Sequence, residues 1–471
     1  MQIPIHPVKP IKSMSQLPAD FITQITQLLG ADEASALCTA LTGSEAPVSI
    51  RRNPLKPVET LPEAEVGAVP WCDAGCYLAA RPRFTYDPLL HAGCYYVQEA
   101  ASMFVEQAYR RIVADFQPHR LLDLCAAPGG KSTLWRSLLP AENLLVANEP
   151  IRQRAQILAE NLAKWGHPDT VVTSAYPAEF AGLGSFFDVV AADVPCSGEG
   201  MFRKDENART EWSLQAVADC AERQWQIISD IWPTLRQGGY LVYSTCTYNR
   251  AENEDNVYRI CRELGAETIE LPVPAEWKIS GDTTGRNLHV YHFFPHRTQG
   301  EGLFLSLLRK TAEAPVMKEK KRKRSSESSS AVKNAAAAAR WIQPAEQFKL
   351  LPVGEGQLAA VRQSLAADVR SITETVRALT VGVPLAEEKG RKLIPQHHLA
   401  LSAALNREAF PTVELSLEQA LSYLRREALC LPAEAPRGYV LVTYQNHPLG
   451  FANNLGTRAN NLYPQEWRIR N

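Results

Sequence analysis

The sequence predicts an α/β fold, in which a mainly parallel sheet is covered by helices on both faces. Three observations in the middle of the chain support this class. Short apolar segments alternate with amphipathic ones, each apolar segment is followed by polar or glycine-containing residues, and one amphipathic segment ends at Gly166, as helices often do. Ligands of such sheets bind beyond the carboxyl ends of the strands, so the residues that follow each strand are the candidates for function.

The predicted elements follow this alternation along the chain. A first helix is expected over residues 19–29, in an N-terminal region with several proline-rich turns. Further helices are expected from Lys131 and over residues 151–165. The expected strands of the middle region are residues 120–124, 143–147, 171–173, 187–192 and 240–245, the last after a turn at Gly238-Gly239.

Composition places the chain among ordinary globular proteins. It has 471 residues, of which 45% are hydrophobic and 21% charged, and its net charge of −1 gives no whole-chain sign of nucleic-acid binding. We expect a cytoplasmic protein without a membrane partner, because we find no secretory apolar core and no apolar stretch of about 18 residues. The ten cysteines are scattered without a CxxC pair, which predicts reduced thiols and no metal site.

We expect five regions along the chain, of which a change in composition marks the linker and a resemblance to a known family separates the last two. These are an N-terminal accessory domain expected to bind RNA at 1–90, the α/β domain at 91–310, a linker at 311–340, a small accessory domain at 341–402 and a C-terminal domain at 403–471. The linker contains the basic sequence KEKKRKR at 318–324, followed by serine-rich and alanine-rich stretches. It has few large apolar residues, so we expect it to connect the domains without a core of its own.

The first strand is followed by a glycine-containing loop, which reads Cys125, Ala126, Ala127, Pro128, Gly129, Gly130 and Lys131. The two glycines allow a ligand to approach the backbone, and the next helix offers its free N-terminal amides. A phosphate-binding P-loop would need glycine at position 125, and the G-x-G-x-x-G pattern of dinucleotide-binding folds is absent. The third interpretation is the cofactor loop of a class I methyltransferase.

An acidic residue at the end of the second strand supports that third interpretation. Glu149 lies about twenty residues beyond the glycines, where a carboxylate can accept hydrogen bonds from both ribose hydroxyls of a nucleoside. The N-terminal dipole of the following helix would stabilise the same carboxylate. Glu149 alone therefore does not separate ligand binding from a helix-capping role.

Two cysteines follow the fourth and fifth strands. Cys196 lies in the loop Asp193-Val-Pro-Cys-Ser-Gly, and Cys246 follows the fifth strand. Asn249 and Glu252 match an N-cap box, so we expect a helix to begin directly after Cys246 and to favour a reactive thiol there. A single such cysteine is most often an inert core thiol, and Asp193 alone would also suit an NTPase. Two thiols at neighbouring strand ends favour a shared reactive site.

Together these motifs resemble the Sun family of RNA (cytosine-5) methyltransferases, which has bacterial rRNA-modifying and eukaryotic members. The resemblance rests on LDLCAAPGGK at 122–131, DVPCSG at 193–198 and STC at 244–246, and extends to HAGCYYVQEA at 91–100 and PHRTQGEG at 295–302. The C-terminal segments GYVLV, PLG and NLYPQEWR look like a PUA-like RNA-binding domain. The resemblance implies a class I, Rossmann-like methyltransferase domain, with a small N-terminal α+β domain and a C-terminal PUA-like region.

The resemblance also implies a role for each motif residue. Cys246 would attack C6 of a cytosine, Cys196 would assist loss of the C5 proton and release of the enzyme, and Asp193 would hold the base at N3 and N4. The loop at 125–131, with Glu149 and Asp193, would line S-adenosyl-L-methionine, which is the implied cofactor. The chemistry is sensible, because C5 of cytosine is a poor nucleophile until a thiolate adds to C6.

Two features depart from the family pattern or are less specific. Family members usually carry an aspartate for the adenine at the third strand end, whereas this chain has Ser174 and Tyr176 there, which leaves the adenine contact unassigned. Arg203 and Lys204, just after the cysteine loop, are candidates for contacts with RNA phosphate. Ordinary solvated charge would give the same pattern at these two positions.

The sequence therefore predicts a monomeric enzyme that methylates C5 of a cytidine in small-subunit (16S) rRNA through a covalent cysteine adduct, with the small ribosomal subunit or its rRNA as partner. A tRNA substrate is the nearest alternative. Two alternatives belong to other classes, a P-loop NTPase and a catalytically silent RNA-binding assembly factor. The NTPase lacks its glycine at position 125, and the assembly factor has no need of two thiols.

Overall fold

The computed structural model describes residues 17–313, 335–390 and 392–470. Most of the linker expected at 311–340, including its basic sequence, lies outside the described residues. Within those three ranges, no helix is long and apolar enough to cross a lipid bilayer.

The N-terminal unit is a helical hairpin followed by an antiparallel sheet with the strand order β2-β3-β1-β4. Its elements are α1 (Ala19–Leu29), α2 (Ala31–Gly43), β1 (Val48–Arg52), β2 (Glu65–Ala68), β3 (Gly75–Leu78), α3 (Pro88–Ala92) and β4 (Tyr95–Val97). The first helix forms where it was predicted, and its apolar face buries Phe21 and Ile25. Because β4 pairs with β1, this sheet continues past the boundary expected at residue 90.

The central domain is the predicted α/β unit. Its elements are α4 (Val105–Asp115), β5 (Arg120–Asp123), α5 (Gly130–Leu138), β6 (Leu144–Asn148), α6 (Arg152–Trp165), β7 (Thr170–Thr173), β8 (Phe187–Asp193), α7 (Glu206–Glu211), α8 (Leu214–Ile231), β9 (Leu235–Thr245), α9 (Glu254–Leu264), β10 (Ala266–Ile269), β11 (Tyr291–Phe293) and β12 (Leu303–Lys310). The strands lie in the order β10-β12-β9-β8-β5-β6-β7, and the five from β9 to β7 are parallel. The parallel sheet predicted from the alternating pattern is therefore confirmed.

The fifth predicted strand begins earlier than expected. β9 starts at Leu235 and runs through the glycine pair that was predicted to form a turn. Gly238 adopts a φ of 71°, which glycine tolerates without strain. The register with β8 shifts between Phe187 and Val189, so the glycines mark an irregularity within the strand pair and not its start.

The region after the linker supplies a sheet of its own and one further strand of the central sheet. Its elements are α10 (Ala335–Ala339), β13 (Phe348–Gly354), β14 (Gln357–Arg362), α11 (Ala366–Thr375), β15 (Ala378–Val381), β16 (Val383–Lys389), β17 (Lys392–Pro395) and α12 (His397–Leu401). Four strands form a sheet in the order β13-β14-β16-β17. β15 instead pairs antiparallel with β7, so the expected accessory domain is joined to the central sheet by backbone hydrogen bonds.

The C-terminal unit is a small sheet with the strand order β18-β19-β20-β21 and one longer helix. Its elements are β18 (Thr412–Glu414), α13 (Leu417–Leu424), β19 (Gly438–Tyr444), β20 (His447–Asn454) and β21 (Ala459–Asn461). Ile50 and Tyr95 of the N-terminal sheet lie in the same hydrophobic core as Tyr423 and Val440 of this unit. The two ends of the chain are therefore packed together.

Two buried cations join the N-terminal unit to the central domain. Arg51 donates to Oγ1 of Thr133 at 2.6 Å, and the ammonium of Lys56 donates to the carbonyls of Ala92 at 2.8 Å and Lys164 at 2.6 Å. Burial lowers the pKa of Arg51 to about 10 and that of Lys56 to about 8. These side chains hold the units together and do not present free charge to solvent.

Candidate active site

The candidate residues come together at one edge of the central sheet. β5, β8 and β9 lie side by side and parallel, with Asp123 opposite Ala191 and Asp193 opposite Ser244. The carboxyl ends of the three strands therefore point the same way. The glycine-containing loop after β5 and the two cysteine loops after β8 and β9 share that edge, where ligands of parallel sheets bind.

The loop after β5 is held from both sides. The amide of Ala126 donates to the carbonyl of Asn148 at 2.9 Å, and Arg154 of α6 donates to the carbonyl of Ala127 at 3.1 Å. Gly129 adopts a φ of 114°, which favours glycine, and precedes the first residue of α5. The N-terminus of α5 is thereby directed toward the strand ends.

The remaining residues of the loop after β5 are also held by contacts within the domain or are partly buried. Asn161 of α6 donates to the carbonyl of Pro128 at 2.8 Å, and α5 begins at Gly130. Cys125 is partly buried, and burial raises the pKa of its thiol well above the usual value, so it is unsuited to be a nucleophile. Among the residues that the structure describes, no group of three or more His, Cys, Asp or Glu side chains is arranged to hold a metal ion.

An ion pair and two hydroxyl groups organise the acids at this edge. The ammonium of Lys131 lies 2.8 Å from Oδ2 of Asp193, and the hydroxyl of Ser244 donates to Oδ1 of Asp193 at 2.8 Å. Burial lowers the pKa of Lys131, but Asp193 and the other nearby acidic groups together raise it by more, so its pKa lies above the usual value and Lys131 is a cation. Burial also raises the pKa of Asp123 to about 7, although Ser132 donates to that carboxylate at 2.6 Å.

Glu149 lies at the end of β6 and is 2% exposed. Its carboxylate accepts a hydrogen bond from the amide of Ile151 at 3.0 Å and lies 3.3 Å from the guanidinium of Arg154. The hydrogen bond to Ile151 is the contact expected of a carboxylate that caps a helix N-terminus. A carboxylate beside the glycine-containing loop also retains lone pairs that can accept hydrogen bonds from a ligand.

The third strand end differs from the others because its short polar side chain, that of Ser174, is hydrogen-bonded within the protein. The amide of Ser174 donates to the carbonyl of Arg377 at 3.0 Å, and its hydroxyl donates to the carbonyl of Pro150 at 3.2 Å. Tyr176 is 62% exposed, and Ile151 on the neighbouring loop is 48% exposed. The two large apolar side chains, and not Ser174, are available to a ligand at this corner.

The two cysteines lie in direct contact. The Sγ atoms of Cys196 and Cys246 are 3.1 Å apart, and both residues are partly buried. The hydrogen bond with Cys246, followed by burial, raises the pKa of Cys196 well above its usual value. Cys196 is therefore a neutral thiol that can donate a hydrogen bond to the sulfur of Cys246.

The helix predicted directly after Cys246 begins later, so that prediction is wrong. α9 begins at Glu254, after an irregular segment. The side chain of Asn249 accepts from the amide of Glu252 at 2.9 Å and donates to the Glu252 carboxylate at 2.6 Å, but the backbone amide of Asn249 donates to Glu199, so these contacts close a turn and form no capping box. The second oxygen of Glu252 binds the Cys196 loop, at the amide of Ser197, and this contact favours the turn over a helix.

Arg203 lies in a different environment from the one expected of a phosphate ligand. Its side chain is 6% exposed, and its guanidinium pairs with Glu301 at 3.0 Å, donates to the carbonyl of Gly300 and contacts the hydroxyl of Ser44. A guanidinium with every side engaged is not free to bind RNA. Lys204 is 38% exposed, lies 3.3 Å from Glu301 and remains a candidate for such a contact.

The sequence interpretation missed the carboxylate of Glu199 beside the cysteines and assigned that of Glu252 only to a helix cap. Glu199 and Glu252 are both 0% exposed, and both accept hydrogen bonds from backbone amides of the cysteine loops. Their positions, three residues after Cys196 and six after Cys246, were a signal for a shared role. Their burial could not be predicted, because it arises only when the two loops pack together.

A Rossmann-like sheet with its candidate residues at the strand ends is the fold of class I methyltransferases, and comparison with known proteins agrees with it. Residues 112–309 match the family described as 16S rRNA methyltransferase RsmB/F. The Ribosomal RNA small subunit methyltransferase F of Erwinia tasmaniensis is 31% identical over 95% of this chain and 96% of its own length. The chain therefore belongs to the RsmB/F family of 16S rRNA methyltransferases and is an RNA methyltransferase.

The flanking domains are those of the RsmF type. Residues 17–100 match the N-terminal domain of 16S rRNA methyltransferase RsmF, and residues 410–469 match the methyltransferase RsmF PUA domain. The Ribosomal RNA small subunit methyltransferase F of Salmonella paratyphi A is 32% identical over 84% of each chain. The C-terminal unit is thus the PUA-like domain that the sequence predicted.

Solved structures agree with this fold. A structure of NSun6 from Pyrococcus horikoshii with SFG aligns with a TM-score of 0.54 at 20% identity, over 64% of this chain and all of that one. A methyltransferase homologue from Pyrococcus horikoshii aligns with a TM-score of 0.52 at 24% identity, over 62% of this chain and 94% of that one. At these identities the likeness concerns the fold alone.

Proposed function

We propose that this RNA methyltransferase transfers a methyl group from S-adenosyl-L-methionine to C5 of a cytidine in small-subunit (16S) rRNA. The observation that carries the proposal is the 3.1 Å contact between the sulfur atoms of Cys196 and Cys246. Two thiols in one site suit a reaction in which one sulfur bonds to the base and the other assists its release. The names of the relatives support the rRNA substrate.

The residues at the strand ends fit the cofactor by the chemistry of their donors and acceptors. The loop at 125–131 and the N-terminus of α5 offer backbone amides for a carboxylate, whereas Glu149 and Asp193 offer acceptors for hydroxyl and ammonium groups. The cofactor would supply an electrophilic methyl group.

The target base must leave its stack to reach this edge. Cys246 Sγ would form a bond to C6, and the electrons of the C5–C6 double bond would make C5 nucleophilic. Asp193, kept in place by Lys131 and Ser244, would hold the N3 and N4 edge of the base. After methyl transfer, the C5 proton passes to water with the assistance of Cys196, the electrons of the C5–H bond re-form the C5–C6 double bond, and the C6–S bond breaks so that its electron pair returns to sulfur. A hydrogen bond from the Cys196 thiol would stabilise that leaving thiolate.

Removal of each thiol is expected to block a different step of the reaction. Cys246→Ala should abolish both methylation and adduct formation, because it lacks the nucleophile. Cys196→Ala should form the adduct but release it slowly, because the leaving thiolate loses its donor. Denaturing gels of enzyme incubated with cofactor and labelled 16S rRNA distinguish the two outcomes. Cys261→Ala, a thiol on α9 away from the site, is the control and should behave as wild type. A gel-stable adduct with Cys246→Ala would reverse the assignment.

The substrate is tested separately from the chemistry. Transfer of labelled methyl groups to assembled small subunits, naked 16S rRNA and tRNA should favour one of the two rRNA forms. Bisulfite sequencing of the product then identifies the modified cytidine. Preferred methylation of tRNA would contradict the rRNA assignment while leaving the cysteine chemistry intact.

A further inference from the structure

Resting on the proposed function, we propose that Glu199 and Glu252 are positioning residues that hold the two active-site thiols in contact. Each carboxylate belongs to one cysteine loop and binds backbone amides of the other. We call this pair of crossed contacts the carboxylate clasp. Strand pairing ends before the cysteines, since the last paired residues are Asp193 and Ser244. The distance between the sulfur atoms therefore depends on contacts between the loops.

The first half of the clasp runs from the Cys196 loop to the Cys246 loop. Glu199 Oε2 accepts hydrogen bonds from the amides of Tyr248 at 2.7 Å and Asn249 at 3.0 Å. The residue is 0% exposed, so water does not compete for these donors. Two short hydrogen bonds from backbone amides to one buried oxygen limit how far the two loops can separate, because separation would leave these groups without partners.

The second half runs in the opposite direction. Glu252 Oε2 accepts a hydrogen bond from the amide of Ser197, the residue next to Cys196, at 3.0 Å. Glu252 is also 0% exposed, and Asn249 and Gln224 donate to it at 2.6 Å and 2.7 Å. Each cysteine is therefore held within a few residues of a buried carboxylate from the other loop.

Further contacts close the space between the loops. The amide of Gly200 donates to the carbonyl of Cys246 at 2.8 Å, and the hydroxyls of Ser197 and Thr247 are 3.0 Å apart. A Cβ atom on Gly200 would lie 2.8 Å from that carbonyl oxygen, so only glycine allows this approach. The loops are thus joined by backbone as well as by side chains.

The other carboxylate oxygen of Glu199 has hydrogen-bond donors too. Gln24 of α1 and the indole of Trp212 donate to Oε1 at 3.0 Å and 3.1 Å. A buried carboxylate with all its acceptor sites used is rigid, because any displacement leaves donors or lone pairs without partners. This rigidity is what a pair of reacting atoms requires, since small misplacements cost large factors in rate.

The clasp is tested by a reaction of the two thiols that does not involve methyl transfer. Diamide, a diazene, removes two electrons and two protons from a thiol pair, forms one S–S bond and becomes a hydrazine. The rate of disulfide formation between Cys196 and Cys246 is followed in the full-length enzyme by mass spectrometry of the linked peptides. We expect this rate to fall about tenfold in Glu252→Gln and in Glu199→Gln. In each variant the side-chain NH2 group would face N–H donors that a carboxylate oxygen accepts from in the wild type, so the two loops would separate. In both variants kcat should fall with the KM for rRNA unchanged.

Glu254→Gln is the matched control. Glu254 is also 0% exposed and lies two residues from Glu252, but its carboxylate binds His292 and Thr283 and contacts neither cysteine loop. In Glu254→Gln, the disulfide between Cys196 and Cys246 should form at the wild-type rate. A fall as large as that of the clasp variants would show that the loss of any buried carboxylate here disturbs the thiols, and would overturn the proposal.

Ser197→Ala keeps the test decisive if the glutamine variants do not fold. It removes the hydroxyl contacts with Thr247 and with the side chain of Asn249, both in the Cys246 loop, and should slow disulfide formation about two- to threefold. If the glutamine variants fold and form the disulfide at the wild-type rate, the clasp is overturned. If they do not fold, a wild-type rate of disulfide formation in Ser197→Ala overturns it. Loss of methylation in Cys246→Ala would still support the proposed function in that case, whereas normal methylation by Cys246→Ala would contradict the function itself.

Discussion

Tyr176 is the residue at the third strand end that is open to a ligand. Its ring is 62% exposed, while Ser174 beside it uses both its amide and its hydroxyl within the protein. An exposed aromatic ring at the edge of a nucleoside site can stack on a base, which contributes about 1–3 kcal/mol per base. We therefore expect Tyr176→Ala to weaken binding of S-adenosyl-L-methionine about tenfold and Tyr176→Phe to retain it, as measured by calorimetry.

Tyr258→Ala serves as the control for this prediction. Tyr258 lies on α9, is 37% exposed and stacks with Arg286, away from the third strand end. Its removal should leave cofactor affinity unchanged. Normal affinity in Tyr176→Ala together with weakened affinity in Ser174→Ala would assign the adenine contact to the serine.

At the scale of elements, β15 and α11 complete the central domain. β15 covers the edge of β7, and α11 buries Ile372 in the same hydrophobic core as Val171 of β7. An uncovered edge strand would expose unpaired backbone groups and promote association between molecules. These C-terminal elements should therefore unfold together with the methyltransferase domain.

Ile372→Ala tests this coupling. Truncation of a fully buried isoleucine should lower the free energy of unfolding by about 2–5 kcal/mol. The loss should appear in the main unfolding transition, followed by tryptophan fluorescence in urea. Val353→Ala on β13, where the side chain is 43% exposed, should change stability by less than about 0.5 kcal/mol. Two separate transitions, of which only one shifts in Ile372→Ala, would show that the accessory region folds independently.

At the scale of the whole molecule, four buried or partly buried histidines lie where the units meet. Burial lowers the pKa of His91 on α3 to about 3, that of His167 after α6 to about 2 and that of His398 on α12 to about 4. Burial also lowers the pKa of His397 well below its usual value. All four are neutral in the folded protein.

The lowered pKa values of these histidines predict that acid destabilises the folded protein. A folded pKa below the unfolded value of 6.5 means that the folded state binds fewer protons, so the stabilisation is complete above pH 6.5 and is lost as the pH falls toward the folded pKa. Each histidine contributes about 1.4 kcal/mol per pH unit in that window. Asp123, with a pKa raised to about 7, acts in the opposite sense and offsets about one histidine.

We expect the free energy of unfolding to fall between pH 6.5 and pH 5, as measured in urea at each pH. His398→Gln should reduce the slope by about 1.4 kcal/mol per pH unit, because glutamine does not titrate. His289→Gln, which replaces an exposed histidine in the central domain, should leave the slope unchanged. An identical slope in wild type and His398→Gln would contradict the assignment.

The sequence by itself determined the α/β class and the positions of the candidate site residues. Apolar strands that alternate with amphipathic segments predict the parallel sheet, and the order of the motifs places Cys196 and Cys246 beyond neighbouring strands. Strand ends could be predicted because residues close together in the chain determine them. The departure at Ser174 and Tyr176 was visible for the same reason.

Only the tertiary structure decided which groups meet and which are buried. The contact between the two sulfur atoms, the carboxylates of Glu199 and Glu252 and the engaged guanidinium of Arg203 all depend on segments far apart in the chain. The late start of α9 and the addition of β15 to the central sheet have the same origin. A local pattern records the propensity of a segment, but burial and hydrogen-bond partners are set by whatever packs against it.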